Sequence, residues 1–211
     1  MNQYKMCNAK GCMLSRHRVS GYCRVHERGR RLYGHALGYH FKSKEFNEER
    51  QLVTEFIGSN IEHKGIASAL AFLRQWLERS TSGDKLLPAY EDFHRLNSKC
   101  IKPIDILIEA ATVWLYSERH RERLPDDLRL TYAISLAVLH LAPRDYRSTW
   151  SQGRETVSPQ RLSAAARLAV GEHIRTNLGL LISNIVRTMQ KQQSEQHEFR
   201  QSLSAPFSTT K

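Results

Sequence analysis

From residue 45 onward, apolar side chains recur every three or four positions, the period of a helix with one buried face. In KEFNEERQLVTEFIG, Phe46, Val53, Phe56 and Ile57 share a compatible face. In GIASALAFLRQWLERS, Ile66, Leu70, Leu73 and Leu77 follow at i, i+4, i+7 and i+11. TSGDKLLP reads as a loop and PAYEDFHRLN as a short helix. Pro103 opens the next helix, since proline at a first helical position gives up no needed donor; Ile104, Leu107, Ile108, Ala111, Trp114 and Leu115 face inward there. Asp126 opens a further helix through TYAISLAVLHLA, which Pro143 ends. DYRSTWSQGRETV reads as a long polar loop. Ser158 and Pro159 then serve as N-cap and first helical residue. Two last helices run through RLSAAARLAVGEHIRTNLG and LLISNIVRTMQKQQSEQHEF. The pattern predicts an all-α fold: a bundle of about five to seven helices over residues 45–200, with a disordered tail at 201–211. Small residues in ALGY, SALAF and SAAARLAV read as close helix packing.

The first 44 residues do not follow this pattern. They carry ten Lys or Arg side chains and one acid, Glu27, whereas the remaining residues hold 22 basic and 20 acidic side chains. A short segment this basic suits a polyanion, through phosphate neutralisation and counterion release. HALGYHFKSK, residues 35–44, reads as a linker to the helical body. The chain shows no apolar run of about 18 residues or more, and its first ten residues do not resemble a secretory leader. A cytoplasmic protein without a membrane span is expected.

The basic segment also holds Cys7, Cys12 and Cys23, with Cys100 far away. Three clustered cysteines do not make a disulfide framework. With His26 they read C-x4-C-x10-C-x2-H. Gly11 lies in the short loop between the first two, and Cys23 and His26 are spaced to share one face of a first helical turn. Three thiolates and an imidazole make the closed tetrahedral set of a structural zinc site, with no open position for a catalytic water. His17 is a rival fourth ligand, although it has no partner at helical spacing.

CNAKGC, GYCRVH, Arg28 and YGHALG together resemble a small Cys3His zinc module found in phage and mobile-element proteins, some of which carry HNH endonuclease domains. The resemblance covers residues 7–38 and implies the same four ligands. It also implies nucleic-acid business and a phage or mobile-element origin more than any one reaction; a transcription or replication accessory or regulator is the expected role. Residues 45–211 resemble no such family.

If a helix begins at Cys23, Arg24, Arg28 and Arg31 lie on one face, away from the ligands. Gly29 would weaken that helix. With Arg16, Arg18, Arg30, Tyr33, Lys42 and Lys44, these residues form the expected nucleic-acid surface, DNA ahead of RNA. Arg119, His120, Arg121 and Arg123 read as favourable charge at a helix C-terminus rather than as a second anion site. His140 and His173 read as core or edge histidines.

A catalytic role finds little support in the pattern. His40, Asn47 and His63 occur in the order of an HNH site, but the paired histidine and the strands are missing. Asp126-Asp127 and Glu48-Glu49 are adjacent on helices, so each pair diverges. No phosphate-binding glycine loop or nucleophile elbow occurs. The expectation is a non-enzymatic zinc protein that binds nucleic acid, with a helical body that dimerises or recruits a partner. The alternatives are a protein that docks on a host machine, such as RNA polymerase or a nuclease complex, and a divergent endonuclease.

Overall fold

The computed structural model describes residues 5–33, 35–38, 41–81, 89–142, 146–151, 153–159 and 164–204. Its elements are α1 (Arg24–Tyr33), a 3-10 turn (Ser43–Phe46), α2 (Asn47–Ser59), α3 (Lys64–Thr81), α4 (Tyr90–Ser98), α5 (Pro103–Arg119), α6 (Asp127–Leu141), strands β1 (Tyr146–Ser151) and β2 (Arg154–Pro159), and α7 (Ala164–Ser204). The fold is all-α in its architecture, with a small N-terminal knuckle ahead of a helical bundle.

The helical periodicity places the core correctly. Phe46, Val53, Ile57, Ile66, Leu73, Leu77, Leu107, Ala111 and Leu115 are all buried in one cluster. Pro103 is the first residue of α5. Asp126 is the N-cap of α6, its carboxylate accepting from the Arg129 N–H at 2.8 Å. The TSGDKLLP loop lies, from residue 82, outside the described residues, as does Pro143.

Helix α7, 41 residues long, replaces the two final helices read from the sequence. Val170, Ile174, Leu178, Ile182, Val186 and Met189 run along its buried side, so an unbroken stripe keeps the helix continuous through Gly179. Gly171 is where α6 crosses it closely: a Cβ there would collide with the carbonyl oxygen of Thr131, and its N–H donates to Ser135 Oγ at 3.2 Å. The helix continues to Ser204, so the beginning of the expected tail is helical, and residues 205–211 lie outside the description.

Two sequence readings need correction here. DYRSTWSQGRETV is not a loop: β1 and β2 pair antiparallel from Tyr146↔Pro159 to Ser151↔Arg154, turning at Gly153 with φ +72°. The strands carry few apolar residues, so their alternation was silent, while Thr149, Trp150, Thr156 and Val157 favour extended backbone. Ser158 and Pro159 end the second strand instead of capping a helix, a place where proline's missing N–H does little harm.

The 35–44 stretch is also more than a linker. Phe41 is buried, 5.8 Å ring to ring from Phe46, and Tyr33 meets Tyr132 edge-on at 6.0 Å. Arg129, itself buried on α6, reaches back to this segment. It donates to His35 Nδ1 at 3.3 Å and to the carbonyl of Leu37. The N-terminal knuckle is therefore clasped to the bundle.

Candidate metal centre and basic surface

The knuckle is held by backbone bonds between Cys7 N–H and the Leu14 carbonyl (2.9 Å) and between Arg16 N–H and the Lys5 carbonyl (2.9 Å). Gly11, at φ +76°, turns the chain between Cys7 and Cys12. Asn8 N–H donates to the Gly21 carbonyl at 3.0 Å, which brings the second half of the segment alongside the first. Helix α1 starts directly after Cys23, whose carbonyl accepts from Glu27 N–H at 2.8 Å. Cys23 and His26 therefore meet Cys7 and Cys12 from the first helical turn.

The ligand atoms of Cys7, Cys12, Cys23 and His26 all lie within 4.8 Å of one another. His26 Nδ1 is 3.3 Å from the sulfurs of both Cys7 and Cys23, and Cys12 Sγ is 3.9 Å from Cys23 Sγ. Tetrahedral bonds of zinc length would set these edges at about 3.5 Å and about 3.8 Å. All four cysteines of the chain are free thiols. The cluster can hold a metal ion, and the observed edges fit the size that four such ligands require.

Two backbone donors already point at the Cys7 sulfur, from Cys23 at 3.2 Å and Ala9 at 3.5 Å. Burial raises the Cys7 thiol, but these N–H groups, with His26 and Cys12, outweigh it and bring it down to about 6. For Cys12, the backbone bond involving Leu14 lowers the pKa, while burial and the neighbouring Cys7 and Cys23 sulfurs push it up, for a net rise. A cation among the sulfurs would remove that mutual repulsion. His17 is not in the cluster; its N–H donates to the Tyr22 carbonyl at 2.8 Å. Of the two candidate fourth ligands, His26 holds the position.

Residue Gly29 does not break α1. It is buried, and a Cβ there would stand 2.6 Å from the Ala36 carbonyl oxygen. The glycine lets the 35–38 segment close over the helix. This fixes which sides of α1 remain open. Arg24, Arg28, Arg30 and Arg31 are exposed on it. Arg24, Arg28 and Arg31 border a concavity of about 280 Å³ with His17 and Glu27.

Glu27, which the sequence reading counted only as a charge, organises this surface. Its carboxylate accepts from Ser20 Oγ at 2.6 Å, from Arg30 at 3.1 Å and from Arg31 at 3.1 Å. The Arg30 bond first, then that of Ser20, holds its carboxyl down to about 2 against the cost of burial. An acid three residues before one arginine and four before another, alone in a basic segment, was the available signal.

The remaining expected contact residues divide. Arg16 donates to the Met6 carbonyl at 2.8 Å and to Asn8 Oδ1, so it braces the knuckle. Arg18 is exposed at φ +53°, and Lys42 and Lys44 are exposed beside the 3-10 turn. Tyr33 is half-buried against Tyr132.

The Arg119–Arg123 cluster faces acids. Arg119 meets Glu48 at 3.2 Å and Glu49 at 3.4 Å, His120 lies 3.8 Å from Glu49, and Arg123 lies 3.6 Å from Glu45. Asp126 lies 3.5 Å from His35, and Asp127 pairs with Arg175 at 2.8 Å. His140 is exposed, and His173 stacks on Trp76 at 3.7 Å between centroids. Of the residues in HNH order, Asn47 accepts from Arg50 at 2.9 Å, His63 sits in the turn before α3, and His40 is outside the described residues. Among the described residues, no helix is long and apolar enough to cross a membrane.

Comparison with protein-family models, curated proteins and solved structures gave no match.

Proposed function

We propose that this chain is a zinc-containing nucleic-acid-binding protein, in which a Cys3His site fixes a short arginine-bearing helix against a helical body. The observation that carries the reading is the exposed set Arg24, Arg28 and Arg31 around one concavity, on a helix whose first turn supplies two metal ligands. Zinc is the metal that three thiolates and one imidazole in a closed set favour. Its role is structural: it holds the knuckle against α1 in a segment with only Cys7, Ala9 and Cys23 as a buried apolar cluster. The nearly neutral body contributes the scaffold and the partner surface. The chain acts by binding rather than catalysis, as a transcription or replication accessory in the cytoplasm. The phage or mobile-element setting rests on the sequence resemblance.

The test is binding of the zinc-loaded chain to duplex and single-stranded nucleic acid across a salt series. Contact by three or four arginines gives a slope of log affinity against log salt of about −3 to −4 on duplex DNA. Binding that is absent, or flat with salt, defeats the reading.

A second reading, docking on a protein machine through the same module, has one observation in its favour. Met13, Leu14 and Val19 all stand exposed on the knuckle, Met13 at 86%. Capture of one protein from the native host, unchanged by nuclease treatment, favours it.

A further inference from the structure

Arg28 borders two depressions. On one side is the concavity it shares with His17, Arg24 and Arg31, where Glu27 is the one acid in the lining and is already paired with Arg30 and Arg31. On the other is a groove of about 390 Å³ lined by Val25, Leu32, Tyr33 and Leu37, with Gly29 and the candidate ligand His26 at its border. The helical period explains the pairing. Positions 24, 28 and 31 form one stripe of α1, and positions 25, 29 and 32 form the next, rotated by one residue. The first stripe ends in guanidinium groups. The second ends in Val25, 67% exposed, and Leu32, 38% exposed, around a glycine that lets the 35–38 segment approach.

A duplex cannot fill both depressions from its outside. Its phosphates would satisfy the arginines, but its bases are stacked away from an apolar groove alongside. A strand with unpaired nucleotides offers both surfaces side by side: a phosphate, and a base with two apolar faces beside it. We infer that the module binds unpaired nucleotides, seating a backbone phosphate among Arg24, Arg28 and Arg31 and an adjacent base in the Val25–Leu32–Tyr33–Leu37 groove. The inference rests on the nucleic-acid reading above and adds what form of nucleic acid the module takes. Arg28 is the hinge of the arrangement, because it can pair with the phosphate while its stem covers the edge of the groove. Glu27 is a positioning residue: its bond to Arg31 sets one wall of the phosphate site, and its bond to Ser20 ties that wall to the loop carrying His17.

The experiment measures affinity of the full zinc-loaded chain for four probes: an oligothymidylate strand, the same strand paired with oligoadenylate, an abasic strand of equal phosphate count, and inorganic phosphate. Charge alone ranks the duplex first, because its phosphate density is greater. The expected result is the reverse, with the single strand bound about 5- to 10-fold more tightly than the abasic strand and more tightly than the duplex. Val25→Asn with Leu32→Asn removes that advantage and leaves the salt slope and the zinc content unchanged. Arg24→Gln with Arg28→Gln weakens strand and duplex alike and lowers the slope. Equal affinity for abasic and intact strands, or a duplex preference that the Val25 and Leu32 variants do not alter, overturns the inference and leaves nucleic-acid binding standing. No salt-dependent binding to any strand overturns both.

Discussion

The Nε of Arg129 lies 3.3 Å from Nδ1 of His35, and through this contact the helical body grips the segment that follows α1. Leu37 N–H donates to the same imidazole nitrogen at 3.1 Å, so Nδ1 is an acceptor, and the proton of the neutral ring sits on Nε2, 3.5 Å from Asp126 Oδ2. The Arg129 guanidinium also donates to the carbonyls of Leu37 and Arg123. One buried cation thus joins α6, the turn before it and the segment that follows α1.

The clasp is sensitive to acid. Burial first, and the Arg129 charge after it, push His35 below its ordinary value, although Asp126 pulls the other way. A histidine whose folded pKa is depressed gives its full stabilisation above the unfolded value, about 6.5, and loses it as the pH falls below that. Thermal stability should therefore decline as the pH falls from neutrality through the unfolded value, and His35→Gln should flatten that decline. A decline of equal steepness in the variant would assign the effect elsewhere.

Removing the cation costs more than removing one bond. Arg129→Met leaves the Leu37 and Arg123 carbonyls without their donor in a half-buried place. A loss of about 2 kcal/mol in denaturant unfolding is expected, with hydrogen exchange rising in the 35–38 segment before it rises in α6.

Metal removal should act locally. Cys23→Ser should lower bound zinc well below one equivalent, and a strong chelator should abolish the order of the knuckle and α1 while α2 to α7 keep their helical signal. Since the ligands must shed protons, zinc affinity falls as the pH falls. Undiminished zinc in Cys23→Ser would dismiss the ligand set. A body fragment should begin before Phe41, because cutting after Lys44 removes a buried ring that packs on Phe46.

Two glycines should resist alanine for steric reasons, against the gain of up to about 1 kcal/mol that helix propensity alone assigns. Gly171→Ala must push α6 from α7 at the Thr131 carbonyl, with an expected loss of about 3 kcal/mol. Gly29→Ala meets the Ala36 carbonyl and should loosen the 35–38 segment, read as faster exchange there with zinc retained. Alanine tolerated at Gly171 without loss of melting temperature would show that the two helices can separate freely.

The arginine surface gives a graded result. Arg24→Ala with Arg28→Ala should reduce the salt slope on duplex DNA by about 1.8, at 0.9 for each phosphate contact. Arg31→Ala should also weaken binding, but it releases Glu27 from one of its three partners. Glu27→Gln should therefore weaken binding even though it adds net positive charge, a sign that simple charge counting does not give.

Periodicity was enough to place α2 to α6, because a buried stripe repeats within a single segment and needs no partner to be recognised; it did not show that the last two helices are one. Val53 and Ile57 on α2 and Leu107 and Ala111 on α5 were legible for that reason, and the helix starts at Pro103 and Asp126 from local start signals. Spacing likewise pointed to Cys7, Cys12, Cys23 and His26, although only the structure set His26 rather than His17 beside the three sulfurs. What depended on segments far apart in the chain was not legible. The grip of Arg129 on His35 joins residues 94 positions apart, and Arg50 pairs with Glu109 at 2.6 Å across 59. Such pairs exist only once helices have packed, because neither partner carries a local signature. Gly29 looked like a helix breaker until the Ala36 carbonyl arrived against it, and the 35–44 segment looked like a linker until Phe41 found Phe46. The hairpin at residues 146–159 was hidden because its strands carry no apolar alternation. Local order in this protein is set by pattern within each segment; which faces remain open, and hence what α1 can touch, is decided by what the rest of the chain packs against.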